Sequence, residues 1–169
     1  MRQSIAPLSP FFKGRFSPWV FDDPSVSAED VEAILEAAST APSCFNEQPW
    51  RFVLAEKEAF FALLTPGNLE WCRSLETFVL LCAAPAFERN GKPNAWARFD
   101  CGTAWGYMTY EAFERGIYLH AMAGFDTRAA VERFGLQGLD PIAVIAFGKK
   151  PQPADFTPRK PLRSLLLRR

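Results

Sequence analysis

The stretch from Asn94 to Arg115 constrains this chain more than any other. It reads as one long helix closing at Gly116, because glycine takes the left-handed position after a helix at little cost. It carries Trp96, Phe99, Cys101, Ala104, Trp105, Tyr107, Met108, Ala112 and Phe113, and is apolar nearly all round. Such a helix must be buried on most sides. With 169 residues, one domain's worth, the easiest cover is a second subunit. Gly102, Ala104 and Gly106 would let another backbone approach closely.

The other elements follow from periodicity. Val31, Ile34, Leu35 and Ala38 fall at i, i+3, i+4 and i+7, which predicts an amphipathic helix over Ala28 to Ala41. Ser27 and Asp30 form a capping pattern at its start, and Pro42 limits its end. Trp50 to Leu54 reads as a strand, and Glu56 to Leu64 as a short helix ended by Pro66-Gly67. The unbroken apolar run Phe78 to Ala84 predicts a strand buried on both faces. Ile117 to Ala121 reads as a strand, Thr127 to Phe134 as a helix and Ile142 to Phe147 as another buried strand. Four prolines in Gly148 to Arg169 argue against a central strand there, and predict an extended arm from about residue 149 to 169. The alternation of helices and strands gives a single-domain, three-layer α+β or α/β sandwich over residues 1–169, its sheet covered by helices.

Composition removes several function classes. Nineteen basic and 19 acidic side chains leave no net charge, so no strong field draws nucleic acid or an anionic membrane. No apolar run approaches the roughly 20 residues of a membrane span, and the first ten residues lack a signal-peptide core. Cys44, Cys72, Cys82 and Cys101 show no paired spacing, and with one histidine in the chain no metal site is expected. The cysteines read as reduced thiols of a cytoplasmic protein. No Gly-rich phosphate loop and no nucleophile elbow is present, so neither a Rossmann nucleotide site nor a Ser-His-Asp triad is expected.

Two stretches carry readable chemistry. Arg15 and Ser17 place a guanidinium and a hydroxyl one residue apart, a pair able to meet a phosphate. Ser43, Asn46 and Gln48 crowd donors and acceptors into the turn between a helix and a strand. They could serve a bound heterocycle or satisfy their own backbone as turn residues. His120, Phe45 and Trp71 read either as packing residues or as pocket lining. The tail is basic, which suits a phosphate or a solvated segment.

Arg15-x-Ser17 with Phe21, then an amphipathic helix leading into Ala41-Pro42-Ser43-Cys44-Phe45-Asn46-Glu47-Gln48-Pro49-Trp50, resembles the FMN-dependent nitroreductase family. Gly67-Asn68 before the buried strand, Gly116 to Asp126, and Arg159-Lys160-Pro161-Leu162 extend the resemblance over most of the chain. The resemblance implies a three-layer fold with a mainly antiparallel central sheet, and a homodimer with shared flavin sites. It implies that Arg15, Ser17 and the backbone at Phe16 hold the FMN phosphate and ribityl end, with Arg159 nearby. Pro42, Ser43, Cys44 and Asn46 would reach the flavin from the other subunit. Asn68 would bond the pyrimidine edge, and the backbone at Ala123 and Gly124 would lie beside flavin N5. Trp71 stands where some members place a lysine near the flavin, Phe16 where many have Arg or His, and Trp19 where Arg is common.

The implied activity is reduction of nitroaromatics, quinones or similar small aromatic acceptors by NADH or NADPH through flavin N5. No side chain need act as acid, base or nucleophile. A non-catalytic flavin-storage or sensor protein of the same fold is the alternative. A specialised flavin reaction or a cofactor-free structural dimer are more distant ones. A helical lid over the substrate is not expected in so short a chain.

Overall fold

A computed structural model describes residues 7–152 and 159–167. Five strands form one sheet: β1 (Phe21–Asp23), β2 (Trp50–Leu54), β3 (Thr77–Ala83), β4 (Ile117–Met122) and β5 (Asp140–Pro151). Every pairing is antiparallel. β5 is the hub. One of its edges takes β4, and its other edge takes β3 and then β1, which meets it at Phe21–Pro151 and Asp23–Lys149. β2 closes the sheet beyond β3.

Strand alternation divides two cores. Val79, Leu81 and Ala83 of β3 join Ile145 and Phe147 of β5 on one face, under α2 (Ala28–Ser39) and α5 (Ala97–Glu114). Phe78, Leu80 and Cys82 join Val144 and Ala146 on the other. There they meet Phe60 of α3 (Lys57–Phe61), Cys72 of α4 (Pro66–Cys72) and Ala130 of α6 (Thr127–Phe134). The three-layer α+β sandwich is thus present, and β3 is covered on both sides as its unbroken apolar run requires.

α2 begins as its sequence dictates. Ser27 Oγ accepts the Asp30 N–H, and Val31, Ile34 and Ala38 face the core. Asp30 then ties three elements together, pairing with Arg115 beyond α5 and Lys149 of β5. Its carboxyl is held below the ordinary value, chiefly by the Ser27 hydroxyl.

Four expectations need correction. Pro66-Gly67 does not end a helix but opens α4, since proline suits a first helical turn whose N–H has no partner. The segment after Gly148 is not arm at its start, because β5 continues to Pro151 as part of the most heavily paired strand. Pro151 is tolerated at the strand's last position, because the next bond to the neighbouring segment, to Val20 O, is donated by the Gln152 N–H. Residues 153–158 of the expected arm lie outside the described residues, and Leu162–Leu165 form a short helix, α7. Finally, the long helix starts at Ala97 rather than Asn94, and buries Ala97, Cys101, Ala104, Met108 and Ala112 within the protomer. Asn94 stays outside it, accepting the Trp96 N–H through its side chain.

Gly148 shows why a glycine interrupts β5. A Cβ there would lie 2.7 Å from Cγ of the Phe21 ring. Gly148→Ala should therefore push β1 off the sheet at a cost of about 1–3 kcal/mol, read as a lower denaturant midpoint. An unchanged midpoint would show that the ring swings aside freely.

Candidate functional site

The helix α1 (Pro10–Gly14) and β1 were not anticipated, and together they aim the first motif. Arg15 follows α1 directly, its N–H donating to Phe11 O at 2.8 Å, and its side chain is half-buried. Phe16 packs on Tyr118 of β4 with centroids 5.3 Å apart, and Ser17 is exposed. Pro18 is buried, and its carbonyl lies 2.7 Å from His120 Nδ1. Arg15 to Trp19 therefore runs along β4.

A carbonyl cannot donate, so His120 Nδ1 must carry the proton, and neutral His120 keeps a lone pair on Nε2. Burial pushes the imidazole below its ordinary value of 6.5, against the opposing pull of the Pro18 carbonyl. His120 contacts Trp19 and Trp71, with centroids 4.6 Å away in each case, and the two indoles meet edge to face at 5.3 Å. Trp19 remains 59% exposed, so one side of this cluster is open.

Because the depressed value favours the neutral ring in the folded state, the unfolded chain binds this proton first as pH falls. Stability is expected to drop as pH falls through 6.5 towards the lower folded value, and to level off below it. In His120→Gln this part of the slope should vanish in melts run across that window. A slope identical to wild type would assign it to other groups.

Asn68 lies in the first turn of α4 and is locked in orientation. Its Nδ2 donates to Gly124 O at 2.8 Å, and its Oδ1 accepts from Trp71 Nε1 at 3.4 Å. A carbonyl only accepts and an indole N–H only donates, so both contacts agree on one amide orientation. Thr65 N–H also donates to Gly124 O. Gly124 must be glycine for this approach, since a Cβ would sit 2.7 Å from Asn68 Nδ2. Ala123 beside it is exposed.

The structure thus gathers Asn68, Trp71 and Gly124 into one cluster, with Phe16 and Ser17 arriving along β4. The turn with Pro42, Ser43, Cys44 and Asn46 makes its hydrogen bonds elsewhere. Ser43 Oγ accepts the Gln48 N–H, Asp100 of α5 accepts the Cys44 N–H, and Glu47 takes the Glu88 N–H. Both readings of this turn find support, because Ser43 serves its own backbone while Pro42 and Asn46 are exposed. Phe45 is no core residue. It is 71% exposed, with the Arg89 guanidinium 4.1 Å from its ring centroid. Arg159 is exposed at the start of the segment that forms α7.

Trp19 and Asp100 are the neighbours that sequence reasoning did not place in the site, and His120, read as packing or pocket lining, touches both indoles. Pro18-Trp19 was the available signal, an aromatic directly after the Arg-x-Ser motif. Nothing local reveals Asp100, whose partner is 56 residues away. All four cysteines are free, and burial raises the thiols of Cys72 and Cys82 to about 11 and that of Cys101 to about 12. Such thiols stay protonated and unreactive. Among the described residues no cluster of three or more His, Cys, Asp or Glu could hold a metal ion, and no helix is long and apolar enough to cross a membrane.

The Nitroreductase family model matches residues 12–65, the stretch that holds both motifs. A solved oxidoreductase containing FMN is 30% identical and superposes with a TM-score of 0.89, covering 98% of this chain and 93% of its own. The chain belongs to the nitroreductase family. A family member from Streptococcus pneumoniae shares the fold at a TM-score of 0.82 and 18% identity, over 94% of this chain and 98% of that one. A relative from Archaeoglobus fulgidus, with a provisional NADH dehydrogenase/NAD(P)H nitroreductase name, is 33% identical over 87 residues. That match takes in 50% of this chain and 49% of the relative, and the chain spans about half the length of the curated relatives it matches.

Proposed function

We propose that this chain is an FMN-dependent oxidoreductase that uses NADH or NADPH to reduce nitroaromatics, quinones or similar small acceptors. The carrying observation is the oriented Asn68 amide, joined to Gly124 and reached along β4 by the Arg15-x-Ser17 segment. The donor set fits FMN. After donating one N–H to Gly124, Asn68 keeps a second for a pyrimidine edge. Arg15 offers a planar fork and Ser17 an exposed hydroxyl for a phosphate. The open indole of Trp19 suits a flat aromatic ligand.

When bound, FMN supplies hydride acceptance and donation at N5. The chain's own groups bind and orient. Arg15, Ser17 and the Phe16 backbone would fix the phosphate end, with Arg159 adding charge. Asn68 would set the ring's pyrimidine edge, with Trp71 standing beside it in place of a lysine. The backbone at Ala123 and Gly124 would border the reacting edge. His120, neutral, would steady Trp19 through Pro18.

The site is proposed to be completed in a homodimer, with Pro42, Ser43, Cys44 and Asn46 supplied by the second protomer. Support comes from α5, whose outer face leaves Trp96 55%, Phe99 67%, Tyr107 42% and Tyr110 50% exposed. A Cβ added at Gly102 or Gly106 would meet nothing within 4 Å, so another backbone can come close. Aromatic residues exposed together on one side of a helix are the kind of surface that a second protomer would cover.

The purified protein should be yellow, release FMN on denaturation, and run as a dimer by light scattering at micromolar concentration. Mixing with NADH or NADPH in a stopped-flow instrument should bleach the flavin band. A yellow protein that bleaches only over many minutes would assign a storage or sensing role instead. A colourless protein that takes up no added FMN would end the proposal.

A further inference from the structure

Asp100 lies near the start of α5, only 3% exposed. A carboxyl group taken so far out of water is costly unless it meets a donor. The donor it meets is the Cys44 N–H, at 3.0 Å from Oδ2 and 56 residues away in sequence. The bond therefore does not shape α5 itself. It holds another part of the chain.

The part held is strained. Phe45, Asn46 and Gln48 have φ of 55°, 57° and 51°, left-handed values that non-glycine residues rarely adopt. Such conformations persist only where the surroundings over-determine them. Within the turn, Ser43 accepts the N–H groups of Asn46 and Gln48. From outside, Arg51 donates to Gln48 O and Glu88 donates to the Glu47 side chain, both in exposed positions. The Asp100 contact is the better shielded restraint, and shielding from water strengthens a hydrogen bond.

We propose that Asp100 is a positioning residue: by pinning the Cys44 N–H it holds the Ser43–Asn46 turn in the left-handed arrangement in which that turn meets the cofactor. The proposal rests on the FMN reading above. It also places both jobs on one helix. The residues flanking Asp100 on α5's open face are Trp96 and Phe99, so the helix that offers an aromatic face to a second protomer also fixes the cofactor turn.

The test uses Asp100→Leu, which removes the acceptor, and Asp100→Asn, which keeps a side-chain oxygen. Two quantities are read: hydrogen exchange of the Cys44 amide in flavin-free protein, and FMN affinity by fluorescence titration. Losing a hydrogen bond to a charged group corresponds to about tenfold or more, so Asp100→Leu should speed exchange and weaken FMN by at least that factor. Asp100→Asn should stay within about threefold of wild type in both, the residue of a weaker neutral bond. A purely structural role would lower the melting temperature while leaving FMN affinity in the folded protein unchanged, which overturns the proposal. So does wild-type exchange at Cys44 in Asp100→Leu. If Asp100→Leu fails to fold, Cys44→Pro deletes the N–H instead, at a first helical position that suits proline. Wild-type FMN affinity in that variant also overturns the proposal. If the wild-type protein itself takes no FMN, the cofactor reading fails and the Cys44 exchange rates alone decide whether Asp100 restrains the turn.

Discussion

Arg15→Ala is expected to weaken FMN binding by at least tenfold, with circular dichroism and the melting temperature recorded to confirm that the variant is folded. Arg15 also serves α1 through its backbone, the N–H that donates to Phe11 O. Alanine keeps that N–H and accepts the extended conformation found there, with φ −68° and ψ 128°. The guanidinium is a different matter. A bidentate contact with a phosphate contributes roughly 1.5–3 kcal/mol for each charge-assisted bond, and about 1.4 kcal/mol is a factor of ten. Loss of one such bond already reaches the stated effect. Ser17→Ala removes a single hydrogen bond to the same charged group and leaves the Arg15 fork in place, so it should cost about tenfold or more from one bond, where Arg15→Ala can lose two. Fluorescence titration of FMN into both variants ranks them. Arg15→Ala with wild-type affinity would remove the phosphate assignment.

The largest effect on stability is expected from Phe147→Ala. Phe147 is fully buried at the centre of β5, opposite Thr77 of β3 and Leu119 of β4, and packs in the core beneath α2 and α5. Truncating a buried phenylalanine costs about 3–5 kcal/mol, from lost transfer energy and the cavity left behind. For a chain of this size each kcal/mol lowers the melting temperature by roughly 2–4 °C, so the variant should melt on the order of 10 °C below wild type. Phe99→Ala is the control. At 67% exposed it contributes little to the protomer's own core, and its effect should appear as weaker association. A Phe147→Ala protein that melts within 2–3 °C of wild type would mean that the core collapses around the gap.

Much of this fold was legible because its signals are local. The bounds of β2 and α6 follow from composition, and α2 from its 3.6-residue spacing and the Ser27 cap. β3 was legible as an unbroken apolar run. The misreadings came where one residue type serves opposite purposes. Pro66 opens a helix rather than closing one, and Pro151 ends a strand it was expected to forbid. β1 was missed because three residues carry too little pattern, and its reason to be a strand lies in β5.

Candidate site residues divide along the same line. Asn68, Trp71 and Gly124 are brought together by bonds that no spacing rule contains, since 56 residues separate Asn68 from Gly124. Resemblance named them without supplying the hydrogen bond from Trp71 that orients the amide. For Phe45 an aromatic side chain leaves packing and pocket lining equally open, and its left-handed backbone, which no local pattern announces, turns it outward beneath Arg89. The apolar character of α5 was readable, but which of its faces meets the sheet was decided only by β2, β3 and β4.

The placement of β5 bears on how the protein comes into being at the ribosome. Three of the other four strands bond to it directly, and it comes last in chain order among the described strands. Phe21 must wait for Pro151 before its strand has any partner. Until then β2 and β3 can pair only as a two-stranded ribbon with both edges bare, the arrangement most open to wrong partners. Folding should therefore be late, concerted and slow for a chain of this size, with chaperone dependence greatest until β5 has emerged.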